Sequence, residues 1–318
     1  MNDPVLVGDI GGTHLRFAFA TRDSVTRAET LLTADFRSLE EAIRHFLAGQ
    51  KQKPSSAAFS VAGIVMDGQA SMTNVDWVME EAALAKSLGV VRVRIVNDFA
   101  AAALGVPHLQ ANEMTQIGGK APRGDAPKAV IGPGTGLGVG SLVPDGQGRF
   151  IPLSGEGGHV DLAASNAREL AVLEYLLRGG GHISAERVLC GEGLENLYRI
   201  LAALDGAKDA RALTAAGIAD AAREGKDARA KETIALFTGW LGAVAGNVAL
   251  TLGAHGGVYL AGGILPRWGA LFDRQLFRAR FEDKGRMKVF LAPMPVFLIN
   301  APDLALRGLA ALAISAEP

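Results

Sequence analysis

The sequence predicts an α/β protein assembled from two related halves. Apolar, strand-like runs alternate with stretches of helical spacing, the pattern of an α/β domain. Two glycine-rich turns, Asp9-Ile10-Gly11-Gly12-Thr13 and Gly132-Pro133-Gly134-Thr135-Gly136-Leu137-Gly138, each lie between two apolar runs, so strand–turn–strand occurs twice. A length of 318 residues suits about two domains. With 49% hydrophobic and 20% charged residues, the chain can bury a large core and is not disordered by composition.

The first half begins with a hairpin over 5–20, in which Val5-Leu6-Val7 and Phe17-Ala18-Phe19 flank the turn. A strand, a helix and a further strand follow. The helix covers 39–47, because Leu39, Ala42, Ile43, Phe46 and Leu47 share one face. Residues 57–62 form a buried strand ending at Gly63, 79–88 a helix, and 91–96 a β-branched strand ending at Asn97-Asp98. A short helix then runs over 99–104, before Pro107. The second half opens with a hairpin over 128–143, followed by a loop at 155–159. Helices dominate 167–255, at 169–178, 194–204 and 228–252. Val258-Tyr259-Leu260 is a strand that ends in Gly262-Gly263. Pro302 and Asp303 start a last helix over 303–314, since proline and acidic residues favour helix starts.

Charge and cysteine content narrow the function. Thirty-two basic against 33 acidic residues leave a net charge of −1, so neither nucleic acid nor an anionic membrane is expected as a partner. The single cysteine, Cys190, excludes an intrachain disulfide and a multi-thiolate zinc site, and suits a reducing compartment. The N-terminus lacks the basic and long apolar regions of a signal peptide. The best candidate for a membrane span, 240–255, is interrupted by glycines and Asn247, so a cytoplasmic, non-membrane protein is expected.

The turns carry the chemistry. Bare backbone amides with a threonine hydroxyl let a chain approach a polyphosphate closely. The 132–138 turn does not match G-x-G-x-x-G and leads into strand, and no Walker-type G-x-x-x-x-G-K-[ST] occurs. Asp9 beside such a turn would repel phosphate unless a cation, magnesium held through water, lay between them. Asp98 stands at the carboxyl end of a buried strand, where α/β sheets bind ligands and a carboxylate can take a proton from an alcohol. The same residue types would also serve as a cap for the helix at 99. Glu156 and His159, three apart in a glycine-rich loop, can hydrogen-bond a polyol or simply face solvent. Glu186 follows the 179–181 glycine turn, where it could equally favour a helix start. Gly262-Gly263 is either a nucleoside platform or a strand-to-loop turn.

Taken in order, Asp9-Ile10-Gly11-Gly12-Thr13, Met72-Thr73-Asn74-x-x-Trp77, Asn97-Asp98-Phe99, the 132–138 turn, Gly155-Glu156-Gly157-Gly158-His159, Glu186-Arg187-Val188-Leu189 and Ala261-Gly262-Gly263-Ile264 resemble the bacterial ATP-dependent glucokinase family. The resemblance runs over nearly the whole chain. It implies a two-domain actin-like ATPase (ribonuclease H-like) fold, with a ligand cleft between a small domain (1–105 plus 303–318) and a large one (106–302). It implies ATP and Mg2+ as cofactors, glucose as substrate, and a homodimer. Asp98 would be the base for the sugar 6-hydroxyl. Asn97, Glu156, His159 and Glu186, with Asn74, would hold glucose. Gly11, Gly12, Thr13, Gly134, Thr135 and Gly136 would face the phosphates, with Asp9 toward magnesium, and Gly262 and Gly263 would lie by the adenosine. His14, Ile64 and Cys190-Gly191-Glu192-Gly193 depart from the family pattern without removing a catalytic group. A kinase of another hexose, a polyphosphate-dependent enzyme, or a sugar-sensing regulator on the same fold stay open alternatives.

Overall fold

Two sheets with the same internal strand order organise the molecule. The structure, a computed structural model, describes residues 4–21, 24–72, 75–207 and 212–315. The first half contains β1 (Val5–Ile10), β2 (His14–Ala20), β3 (Glu29–Leu32), α1 (Leu39–Ala48), β4 (Ala57–Val61), β5 (Gly63–Met66), β6 (Gln69–Met72), β7 (Val78–Glu80), α2 (Glu81–Leu88), β8 (Val93–Asn97) and α3 (Asp98–Gly105). The second contains β9 (Met114–Gln116), β10 (Lys128–Pro133), β11 (Leu137–Pro144), β12 (Phe150–Gly155), α4 (Ala167–Leu177), α5 (Gly191–Leu204), α6 (Ala215–Glu224), α7 (Ala228–Leu252), β13 (Val258–Leu260), α8 (Ile264–Trp268), α9 (Arg274–Glu282), α10 (Lys288–Leu291), β14 (Val296–Ile299) and α11 (Leu304–Ser315).

The first sheet is ordered β3-β2-β1-β4-β8 and the second β12-β11-β10-β13-β14-β9. In each, three antiparallel strands lead into parallel ones. The duplicated hairpin expected from the two turns is therefore part of a duplicated five-strand unit, with β9 added antiparallel at one edge. The first sheet buries Phe17 and Phe59, edge to face at 6.4 Å, beneath α1. Ser38 begins that helix by accepting the Glu41 N–H, and Leu39, Ala42, Ile43 and Phe46 form its buried face.

Two expectations change. The strand expected over 57–62 is β4 and ends at Val61, but the chain then enters a small sheet that was not expected, β5-β6-β7, beginning at Gly63. Asp67 and Gly68 both have positive φ (53° and 74°) between β5 and β6, the primed two-residue hairpin turn. The helix expected from 79 starts at Glu81, because Met79 is a strand residue paired with Ala70 and buried between exposed Val78 and Glu80. Period-two burial overrides the helical spacing there.

Helix α7 has the bounds expected for it, 228–252, but is more apolar than expected. By length and composition it could cross a membrane, with a mean hydropathy of 1.5, but 72% of that stretch is buried inside the protein. Its glycines do not interrupt it. A Cβ at Gly242 would lie 2.4 Å from the Phe277 carbonyl oxygen, and one at Gly246 2.5 Å from that of Phe281, so they admit the backbone of α9.

Helix α3 lies between the two halves, and five of its eight residues are alanine or glycine. Ala101 joins Val7, Ala18, Ala58 and Leu309 in one core. Ala102 and Ala103 join Val130, Leu142 and Tyr259 in another. Helix α11 returns from the end of the chain to press on α3, where a Cβ at Gly308 would lie 1.9 Å from the Ala101 carbonyl oxygen. One alanine- and glycine-rich helix thus touches both sheets.

Candidate active site

Parallel pairing brings the candidate residues to common edges. Ile10 pairs with Val61 and Val61 with Asn97, so Gly11 and Asp98 leave the first sheet at the same level of its carboxyl edge, with β4 between them. In the second sheet Ile131 pairs with Leu260, which sets Gly132 next to Ala261 and Gly262.

Asp98 is the first residue of α3, and the cap is its neighbour. Asn97 Oδ1 accepts the N–H groups of Phe99 and Ala100 at 2.9 and 3.3 Å, and its Nδ2 donates to the Gly63 carbonyl at 3.4 Å. Asn97 therefore caps the helix in place of Asp98, and retains one amide hydrogen for a ligand. Asp98 Oδ1 accepts the Phe99 N–H at 2.9 Å. Burial pushes the Asp98 carboxyl up to about 6; the Phe99 N–H pulls it down, and the charges of Asp9 and Glu156 push it further up. Asp9 and Glu156 are thus near enough for their charges to act on Asp98, and a group titrating near 6 is suited to accept a proton at neutral pH.

The expected hydroxyl ligands meet across the second sheet. Glu156 precedes a single 3-10 turn, Gly157–His159, that presses on β11, where a Cβ at Gly158 would lie 2.0 Å from the Leu137 carbonyl oxygen. His159 Nε2 lies 3.9 Å from Glu186 Oε1. Glu186 Oε2 accepts the Leu137 N–H at 2.7 Å, and a Cβ at Gly136 would lie 2.4 Å from that oxygen. Gly136 thus makes room for Glu186, a task the sequence did not reveal, and Glu186 ties the hydroxyl side to the phosphate turn. Asn74 lies outside the described residues.

The two turns are braced differently. Gly11 donates to the His14 carbonyl at 3.0 Å and accepts the hydroxyl of buried Thr33 at 2.8 Å, while the Thr33 N–H bonds the Thr13 carbonyl at 3.0 Å. In the second turn Gly134 donates to the Gly136 carbonyl at 2.8 Å and accepts the Gly191 N–H at 2.9 Å, leaving Thr135 exposed at the tip. Gly12 and Thr13 lie at the open end of the first turn. Asp9 Oδ1 accepts the hydroxyl of buried Ser60 at 2.8 Å, and Oδ2 lies 3.7 Å from an Arg16 nitrogen. Thr33, Ser60 and Arg16 carry no local motif and were not foreseen; only strand register brings them here.

No group of three or more His, Cys, Asp or Glu among the described residues could hold a metal. One half-tethered carboxylate at Asp9 fits a hydrated cation shared with phosphate oxygens, not a closed protein cage. Gly262 has φ 85°, and a Cβ there would lie 2.4 Å from the Pro133 carbonyl oxygen, so glycine is required where β13 meets the phosphate turn. Gly263 precedes α8, beyond which Ile264, Arg267, Ala215, Ala219 and Arg223 line a cleft of about 240 Å³. A wider cavity of about 620 Å³, beside His108 and Arg307, is lined by none of the candidate residues. Cys190 is buried and begins α5, its Sγ accepting the Gly193 N–H at 3.2 Å.

Sequence and structure comparisons identify the family. The glucokinase family model matches residues 6–316. A glucokinase of Chromobacterium violaceum is 45% identical over 97% of this chain and 88% of its own length. The solved glucokinase of an Antarctic psychrotroph is 35% identical, covers 99% of this chain and 100% of its own, and superposes with a TM-score of 0.90. A ROK-family glucokinase from Streptomyces griseus, solved with glucose and AMPPNP, shares the fold with a TM-score of 0.68 at 22% identity, over 98% of this chain and 100% of its own.

Proposed function

The chain belongs to the glucokinase family and is an ATP-dependent kinase that phosphorylates the 6-hydroxyl of glucose, and we propose that Asp98 is its catalytic base. The observation that carries the assignment is the position of Asp98: first in α3, at the carboxyl edge of the first sheet, with its carboxyl held near 6 by burial. O6 of glucose attacks the γ-phosphorus, the bond to the β–γ bridging oxygen breaks toward ADP, and Asp98 receives the O6 proton. General-base assistance of this kind contributes about 10²–10⁴ in rate.

Glu156, His159 and Glu186 hold the sugar hydroxyls, with the remaining Asn97 amide hydrogen and Asn74. Gly11, Gly12, Thr13, Gly134, Thr135 and Gly136 present amides and hydroxyls to the phosphates. Asp9 would hold Mg2+ through water, and the ion would neutralise phosphate charge and separate it from the carboxylates. Gly262 and Gly263 receive the adenosine beside the 240 Å³ cleft, whose apolar lining suits a base. Residues 1–105 with 303–318 act as the small domain and 106–302 as the large one. The separate sheets and cores support that division. Exposed Ile151, Leu153, Leu170 and Leu177 offer apolar surface for a homodimer, and ATP as donor favours a cytoplasmic location.

The direct test measures glucose 6-phosphate formation and glucose binding by Asp98→Asn. Turnover falls by about 10²–10⁴ while glucose binding stays within a few-fold. Turnover near that of the unaltered protein removes Asp98 from the role.

A further inference from the structure

Phe99, directly after the proposed base, is seated against the hairpin that carries the second glycine turn. A Cβ at Gly138 would lie 1.8 Å from Phe99 Cε2, and one at Gly132 2.8 Å from Phe99 Cζ. A Cβ at Gly140 would lie 2.3 Å from the Phe99 carbonyl oxygen. Gly132 and Gly138 are paired across β10 and β11, immediately flanking residues 133–137. Ring and backbone of Phe99 therefore occupy a slot that exists because three positions of one hairpin lack a side chain. The Phe99 N–H meanwhile donates to Asp98 Oδ1 and to Asn97 Oδ1, both at 2.9 Å.

We propose that Phe99 is a positioning residue, which locks the Asp98 carboxylate in register with the phosphate-binding turn by fitting the Gly132–Gly138–Gly140 slot. Its backbone N–H orients the carboxylate and its ring is keyed to the strands that hold Gly134, Thr135 and Gly136. Acceptor and donor are then placed by one unit, although they are contributed by different sheets. The helix behind Phe99 supports this. Its alanines and Gly105 allow the backbone of α11 to approach, where a Cβ at Gly105 would lie 2.1 Å from the Leu304 carbonyl oxygen. Phe99 is the bulky exception at the end nearest the chemistry. A displacement of the order of 1 Å between reacting groups costs about 10²-fold in rate, so a small shift of this ring has a large expected effect.

The proposal rests on Asp98 as base, and the test separates the two. Phe99→Leu shortens the key, and Gly138→Ala pushes against it. Each lowers kcat by about 10²-fold, with KM for glucose and ATP changed less than about threefold, since binding groups stay in place. In the double variant the smaller leucine makes room for the added methyl, so kcat recovers at least about tenfold over Gly138→Ala alone. Urea unfolding accompanies each assay, and Phe99→Leu decides alone if Gly138→Ala does not fold. The proposal is overturned if Phe99→Leu keeps kcat within about twofold, if KM rises in step with the loss, or if the two losses simply add. Inactive Asp98→Asn beside a fully active Phe99→Leu refutes the positioning role only. An active Asp98→Asn refutes the base assignment itself.

Discussion

Replacing Asp98 by asparagine should make the protein more stable while removing its turnover. The carboxyl titrates near 6 in the folded chain against 3.8 for an ordinary aspartate, with burial as the main cause. Between those values the folded state holds a proton that the unfolded chain has already released. Unfolding then releases a proton, and stability falls as pH rises from 3.8 toward 6. Above that window the cost of a charged, half-buried Asp98 is present in full. A shift of about two units corresponds to about 3 kcal/mol at most, at 1.36 kcal/mol per unit. Asparagine carries no charge and keeps an oxygen for the Phe99 N–H. Asp98→Asn should therefore gain up to about 3 kcal/mol at pH 8 and nothing near pH 3.5. Urea unfolding at pH 5, 7 and 8 with an unchanged m-value measures the gain. In the unaltered enzyme, kcat/KM for glucose should fall on the acid side with a midpoint near 6. A variant no more stable than the parent at pH 8, or an acid limb centred near pH 4, would refute the argument that burial controls this carboxyl.

Three further expectations follow from specific contacts. Gly262→Ala forces a Cβ into a φ of 85° and to 2.4 Å from the Pro133 carbonyl, so KM for ATP should rise at least about tenfold with KM for glucose nearly unchanged. Steady-state kinetics with each substrate varied would show it, and equal changes in both constants would count against it. Glu186→Gln weakens a charge-assisted bond to the Leu137 N–H and removes the negative partner of His159. Titration calorimetry should show glucose affinity lowered by about 1.5–3 kcal/mol, while ADP affinity is nearly kept. Arg307 grips both Glu113 oxygens at 2.6 Å and holds that carboxyl down to about 2. The stability this pair provides is present above pH 4.5 and is lost as pH falls toward 2. Arg307→Ala should abolish that part of the acid sensitivity, read as the difference in thermal midpoint between pH 6 and pH 3.

Much of the architecture is legible in local pattern, because local pattern governs it. Both hairpins, the face of α1, the bounds of α7 and the strand at Val258–Leu260 follow from apolar periodicity and turn residues. The small sheet was missed although Asp67-Gly68 is a hairpin signal, and Met79 was assigned to a helix because a three-residue strand carries too few positions to reveal its period. The glycines of α7 counted only as breaks in a candidate membrane span, because a sequence shows that a side chain is missing but not which backbone occupies the space.

The amino-acid sequence by itself determined the kind of chemistry. Two amide-and-hydroxyl turns, a strand-end carboxylate and a Glu–His loop, in that order, already resemble an ATP-dependent glucokinase. The tertiary structure decided how those groups are held. It assigned the helix cap to Asn97 and left Asp98 half-buried, within range of the like charges of Asp9 and Glu156. It bound Glu186 to the phosphate hairpin, brought Thr33 and Ser60 under the first turn, and set Phe99 into a slot of three glycines. The division has a physical reason. Residue type and spacing limit what a segment can form and bind, whereas a carboxyl's proton affinity and a glycine's necessity depend on atoms that are distant in sequence and meet only when two sheets close on one helix.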